Sequence, residues 1–167
     1  MSDRENSPEQ LPSRLNRRPR LDSSVYGPSG YACHLITNTH AGRPVLTETP
    51  AAALLVVDCL RAAAQAQGIE LLAYCVMSSH VHIIALVRPQ GTDLVQFMKS
   101  FKMRVSRRLR AGPAEKLWQE SFYDRVLRQA EHLPTACEYV LNNAVKEGGA
   151  ENWKEYPYAW LSPEVGS

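Results

Sequence analysis

Long apolar runs are missing from this sequence: no stretch approaches the roughly 20 residues a membrane-spanning helix needs. A basic and then apolar leader is also missing from the first residues, so a cytoplasmic protein is expected. Cysteine is sparse. Cys33, Cys59, Cys75 and Cys137 are widely spaced, and none forms the Cys-x-x-Cys pair of a zinc or redox site. Apolar surroundings mark three of them as small core residues. No repeat recurs at a fixed period, which excludes a solenoid. Charge of one sign is lacking overall, and a net +2 does not by itself name a nucleic-acid partner. A local absence says more: residues 94 to 110 contain no acidic side chain.

What is present suffices for one domain with a sizeable core. Residues 1 to 30 are the exception, rich in Pro, Ser, Asn and Arg without hydrophobic periodicity, which predicts a flexible arm. Arg14, Arg17, Arg18 and Arg20 cluster there around Pro19, as a solvated tail or as an arm that follows phosphates. Residues 31 to 167 read as the folded domain. Tyr31–Thr39 is aromatic and β-branched, a first strand. Thr49-Pro50 opens a helix that runs through Gln67 and stops at Gly68. Glu70–Val87 holds two strands broken at Ser78-Ser79. Thr92 or Asp93 then caps a helix with apolar residues at Leu94, Phe97, Met98, Phe101, Val105 and Leu109, one buried face. Leu117–Leu127 reads as a fourth strand. Leu133-Pro134 opens a further helix to about Asn143, Gly148-Gly149 ends it, and Trp153–Ser162 reads as a packed extension. The order βαββαβ predicts an α+β, ferredoxin-like antiparallel sheet with helices on one face, plus a C-terminal helix and tail.

Three patterns carry chemistry. Alternate side chains of a strand share a face, so His80 and His82 stand side by side while Val81 and Ile83 point the other way. Such a pair serves as structural rings or as two legs of a divalent-metal site. On the last helix Tyr139 and Asn143 are four apart and share a face. Taken alone, that tyrosine fits a core boundary and that asparagine a helix end. Beside two histidines they make chemical sense. A phenol, with a pKa of about 10, is a poor nucleophile at neutral pH unless a metal polarises the phosphate it attacks. Asn143 could give that metal an oxygen ligand. The third pattern is the acid-free helix, whose polar positions include Lys99, Lys102, Arg104, Arg107, Arg108 and Arg110. Solvated faces usually mix signs, so a one-signed stripe points to an acidic partner, most simply a nucleic-acid backbone.

In order along the chain stand Tyr74-Cys-Val-Met-Ser-Ser-His-Val-His82, Leu117-Trp-Gln-Glu-Ser-Phe-Tyr-Asp-Arg-Val126, and Glu138-Tyr-Val-Leu-Asn-Asn-Ala-Val-Lys-Glu-Gly148, with Tyr156-Pro-Tyr158 near the end. Together, over about residues 30 to 162, they resemble the HUH single-tyrosine transposases, most of all the REP-associated tyrosine transposases. Two positions depart from the resemblance: Ser79 precedes the first histidine where Asn is frequent, and Ala144 follows the paired asparagines where Pro is frequent. The resemblance implies that His80 and His82 hold Mg²⁺ or Mn²⁺, with Asn143 as third ligand. It implies that Tyr139, on a catalytic C-terminal helix, attacks a DNA phosphate to give a 5′-phosphotyrosine and a free 3′-hydroxyl. Tyr123 and Tyr156 are rival nucleophiles without the Tyr-x-x-x-Asn context. The implied substrate is single-stranded DNA with hairpins, such as palindromic repeats, and the implied location is the nucleoid. The basic helix, Arg17, Arg18 and Lys146 would contact its phosphates. A hairpin-binding protein that does not cleave, and a metal-dependent DNA hydrolase that uses water, are the alternatives. Monomer and homodimer both remain open, and no membrane partner is expected.

Overall fold

The computed structural model describes residues 30–88, 93–109, 115–127 and 133–165. The expected N-terminal arm with Arg14, Arg17, Arg18 and Arg20, the 89–92 turn, Arg110 and the Gly112-Pro113 loop lie outside the described residues. The strands are β1 (Tyr31–Asn38), β2 (Glu70–Val76), β3 (His80–Val87), β4 (Tyr123–Leu127) and β5 (Ala159–Leu161). The helices are α1 (Pro50–Gln67), α2 (Leu94–Arg108), α3 (Leu133–Leu141) and a short α4 (Asn143–Lys146). The sheet runs β4-β1-β3-β2-β5, and every neighbouring pair is antiparallel. The first four strands carry the ferredoxin-like arrangement that the element order predicts.

Local chemistry starts and stops the helices. Thr49 accepts a hydrogen bond from the Ala52 amide at 3.1 Å with Pro50 in the first turn, and Gly68 closes α1 at φ +63°, a left-handed position that favours glycine. Asp93 opens α2 by accepting from the Val95 amide at 2.7 Å. Leu94, Phe97, Met98, Phe101 and Val105 form its buried stripe, as their spacing predicts.

The helices do not all lie on one face of the sheet. Cys33, Leu35, Tyr74, Val76, Val81, Ile83 and Ala85 pack with α1 and α2. Leu72, Ala73, Cys75 and Ile84 face the other way and pack with Cys137, Val140 and Ala144 of α3 and α4. Three layers result, and period-2 alternation explains them, because a β3 apolar on both faces needs cover on both. All four cysteines are buried free thiols. Burial pushes Cys33 and Cys75 up to about 12 and Cys137 up to about 11, so these thiols stay protonated and inert.

The fourth strand is shorter than predicted. Only Tyr123–Leu127 belongs to it, while Trp118 makes an isolated bridge to Thr39. Tyr123 pairs with Ile36, so an unbroken strand would place Trp118 opposite residue 41, two residues from its observed partner. Two extra residues are therefore accommodated between the bridge and the strand. The interruption lets the Trp118 indole reach α2, where it donates to the Lys102 carbonyl at 3.1 Å and meets Phe101 at 5.7 Å between centroids. The Lys102 ammonium donates to the carbonyls of Gln119 and Ser121 at 2.8 and 3.0 Å and holds the loop in that shape. Tertiary packing of one indole overrides the local β pattern.

The C-terminal extension adds β5 to the edge of β2. Trp160 stacks on Tyr74 at 5.7 Å, Arg61 donates to the Tyr74 hydroxyl at 2.8 Å, and the Tyr156 hydroxyl donates to the Val76 carbonyl at 2.8 Å. None of the helices is long and apolar enough to cross a membrane among the described residues.

Candidate active site

The site lies where β3 begins and α3 gives way to α4, on the sheet face opposite α1 and α2. Register places His82 between Ile36 of β1 and Cys75 of β2, and His80 beside Asn38. The two imidazoles share a face as predicted, with centroids 5.0 Å apart. Tyr139, the last-but-two residue of α3, sets its ring edge-on to His82 at 6.2 Å. Its ring is half exposed, at 48%. The Lys146 ammonium stands 4.4 Å from the centre of that ring, a cation–π contact.

Asn143 follows the break between the two helices and is 8% exposed. Its Nδ2 donates to the carbonyls of Tyr139 and Val140 at 2.9 and 3.2 Å. Both partners are pure acceptors, so the nitrogen must face them and the amide oxygen is turned away from these contacts. The neighbouring Ala144 packs in the same apolar cluster as Cys75, the strand partner of His82.

Three contributors escape the sequence reading. His34 of β1 places Nε2 3.2 Å from Nδ1 of His82, stacks on that ring at 5.4 Å and lies edge-on to Tyr139 at 6.0 Å. Glu147, just beyond α4, reaches Nε2 of His80 with a carboxylate oxygen at 3.3 Å, while Ser79 Oγ lies 3.3 Å from Nδ1 of the same ring. Arg125 of β4 is paired in register with His34 and exposed on the same side of the sheet. A single histidine in an apolar strand looks like core, and only the strand order brings His34 beside β3. A cleft of about 290 Å³ opens next to Glu147, lined also by Thr47, Met77, Ser78, Tyr156 and Tyr158.

The basic residues divide. Lys146 belongs to the site, whereas Lys99, Arg104, Arg107 and Arg108 lie on α2, across the sheet. Lys99, Arg107 and Arg108 are exposed; Arg104 donates to Ser100 Oγ at 3.3 Å. Lys102 stands apart from this stripe, spent on the two loop carbonyls, and burial pulls its pKa down to about 8. Of the rival tyrosines, Tyr156 is tied to a backbone carbonyl, and burial pushes its phenol up to about 12. Tyr123 shares the face of His82 but sits two strands away, roughly 10 Å by strand spacing.

Burial keeps the histidines uncharged. It pulls His34 down to about 4, with Arg125 adding to the effect, and His82 down to about 3, with His80, His34 and Lys146 as further causes. For His80 burial also lowers the pKa and outweighs the opposing Glu147 carboxylate. In their 3.3 Å contact the Nε2–H of the neutral ring therefore donates to the carboxylate. A depressed folded-state pKa means that the unfolded chain takes up protons first as pH falls. The stability held by His34 and His82 is thus complete above about pH 6.5 and is lost progressively on acidification towards pH 4 and below. Urea unfolding of metal-free protein should show a loss on the order of 2–3 kcal/mol from His34 alone by about pH 4. A midpoint unchanged between pH 7.5 and 5 would show that these rings are hydrated.

The fold of this domain has a solved counterpart. The fold matches a structure described as a REP-associated tyrosine transposase bound to a REP hairpin, with a TM-score of 0.67 at 16% identity, over 78% of this chain and 76% of that one. A Haemophilus influenzae protein named "Putative REP-associated tyrosine transposase" is 24% identical over 108 residues, 58% of this chain. The match spans 61% of that relative's length. The model of the IS200-like transposases matches residues 29–143, and this chain belongs to that family.

Proposed function

We propose that this chain nicks and joins single-stranded DNA at hairpin-forming palindromic repeats, with Tyr139 as nucleophile. The observation that carries the reading is the meeting of Tyr139 with His82 at 6.2 Å under the Lys146 ammonium, on two elements far apart in sequence. The family and the hairpin-bound structure of a related fold support the substrate class.

The residues fit a divalent cation by their donor chemistry. Among the described residues no three His, Cys, Asp or Glu side chains are grouped to hold a metal. In this reading His80 and His82 are joined by the Asn143 oxygen as third ligand. Two imidazoles and an amide suit Mn²⁺ better than Mg²⁺, which prefers oxygen throughout. When bound, such an ion supplies Lewis-acid polarisation of the scissile phosphate.

Every other task falls to the chain. The Tyr139 oxygen forms a bond to phosphorus as the bond from phosphorus to the 3′ oxygen breaks, which leaves a 5′-phosphotyrosine and a 3′-hydroxyl. The phenolic proton goes to water, which reaches a half-exposed ring, and water gives a proton to the departing 3′ oxygen. Attack by another 3′-hydroxyl reverses the step and joins strands without a nucleotide cofactor. Lys146 and Arg125 flank this face and take phosphates next to the reacting one. Lys99, Arg107 and Arg108, across the sheet, take phosphates of a stem that wraps round the edge.

A labelled single-stranded palindromic repeat from the protein's own genome, incubated with Mn²⁺ or EDTA, tests this on a denaturing gel. The expected product is a protease-sensitive slow band with Mn²⁺ and none with EDTA. A hairpin that shifts on a native gel yet is never cut, across several repeats, would identify a binding protein instead.

A further inference from the structure

His34 is a polar ring whose register partners on this face are Ile84 of β3 and Arg125 of β4, and the side chain is 8% exposed. Burial of an imidazole there costs free energy unless a hydrogen bond offsets it. Among the described residues that bond goes to His82, from Nε2 of His34 to Nδ1 of His82 at 3.2 Å.

One proton bridges two neutral imidazoles in one of two ways. If His34 donates, Nδ1 of His82 accepts, the proton of His82 lies on Nε2, and that nitrogen cannot ligate. If His82 donates from Nδ1, its Nε2 carries a lone pair. Because Nδ1 is already engaged by His34, Nε2 is the nitrogen left for a ligand.

We propose that His34 is a positioning residue for the metal site: it accepts the Nδ1–H bond of His82, which fixes that ring's tautomer and orientation so that Nε2 presents its lone pair. This rests on the reading of His82 as a metal ligand given above. Histidines that bind metals generally donate their second nitrogen to an oxygen acceptor. Here an imidazole on the adjacent strand takes that place, held by the β1–β3 register that pairs His34 with Ile84 and Ile36 with His82. The same ring lies edge-on to Tyr139 at 6.0 Å, so one side chain borders both the ligand and the nucleophile. His80 is held differently. Its Nδ1 meets the Ser79 hydroxyl, and its tautomer is set from the other nitrogen, where the Glu147 carboxylate accepts from Nε2–H at 3.3 Å.

Two measurements test the assignment. Two-bond ¹H–¹⁵N spectra of the metal-free wild type report which nitrogen of His82 is protonated. The expected state is Nδ1–H. Mn²⁺ affinity, read from the free-ion EPR signal, should weaken roughly 10- to 100-fold in His34→Leu. It should return largely to the wild-type value in His34→Gln, whose amide oxygen reaches the position of Nε2 and accepts the same bond. A generic packing defect would not be rescued in that way. Protonation of His82 on Nε2, or unchanged Mn²⁺ affinity in a folded His34→Leu, would overturn the assignment. Should His34→Leu not fold, the wild-type spectrum alone decides. A wild type that binds no Mn²⁺ would overturn the metal reading itself, whereas Mn²⁺ bound with His82 in the other tautomer would overturn only the role of His34.

Discussion

Replacement of Tyr139 by Phe should abolish the covalent DNA adduct and lower cleavage by about 10⁴-fold or more, with hairpin affinity and thermal stability nearly unchanged. The change removes one oxygen and keeps the ring, so the edge contacts with His34 and His82 and the cation–π contact with Lys146 survive. The phenol oxygen is not part of the packing, because the ring is half exposed and its hydroxyl makes no hydrogen bond among the described residues. The loss should therefore fall almost wholly on chemistry. Single-turnover cleavage with Mn²⁺, beside a native-gel titration of the same hairpin, separates the two. Cleavage that persists in Tyr139→Phe would assign the attack to water or to Tyr123, since Tyr156 is held by the Val76 carbonyl.

The second large effect is expected from His80→Ala, which should weaken Mn²⁺ binding by at least about 100-fold and remove metal-dependent cleavage. His80 is the better position to test than His82. Its side chain is 17% exposed, and the Glu147 carboxylate it leaves behind is solvated at 43%. Removing it creates no sealed cavity and no buried unpaired charge, so the cost in stability should stay within about 1 kcal/mol. His82, at 5% exposure and bonded to His34, would mix metal loss with a packing defect. Calorimetric Mn²⁺ titration together with a thermal melt checks both halves of the expectation. Retention of tight Mn²⁺ binding by a folded His80→Ala would place the cation elsewhere.

Several elements were legible before any fold was known. The α1 boundaries follow from Thr49, Pro50 and Gly68, and the α2 stripe from Leu94 to Val105, because caps and helical periodicity act within a few residues. The fourth strand was legible only in part. Its first half gives way to the burial of Trp118 against α2, which no local pattern encodes. The basic stripe was read correctly as exposed at Lys99, Arg107 and Arg108, but its side of the sheet was not legible. Lys102 shows the limit most plainly, because residues nearly twenty positions away engage its ammonium.

By itself the sequence determined that His80 and His82 share a strand face and placed Tyr139 and Asn143 about one helical turn apart, although a break between α3 and α4 falls between them. Periods of 2 and 3.6 residues are properties of the local backbone and need no partner. Only the tertiary structure decided that Tyr139 meets that strand face. It also decided that His34 locks one of the rings, that Glu147 meets the other, and that most of the basic helix lies across the sheet from the chemistry. Those outcomes depend on the strand order β4-β1-β3-β2-β5 and on the side to which α3 returns. Both are settled by the burial of apolar surface on two faces of one sheet, a balance summed over the whole chain and not over any single segment.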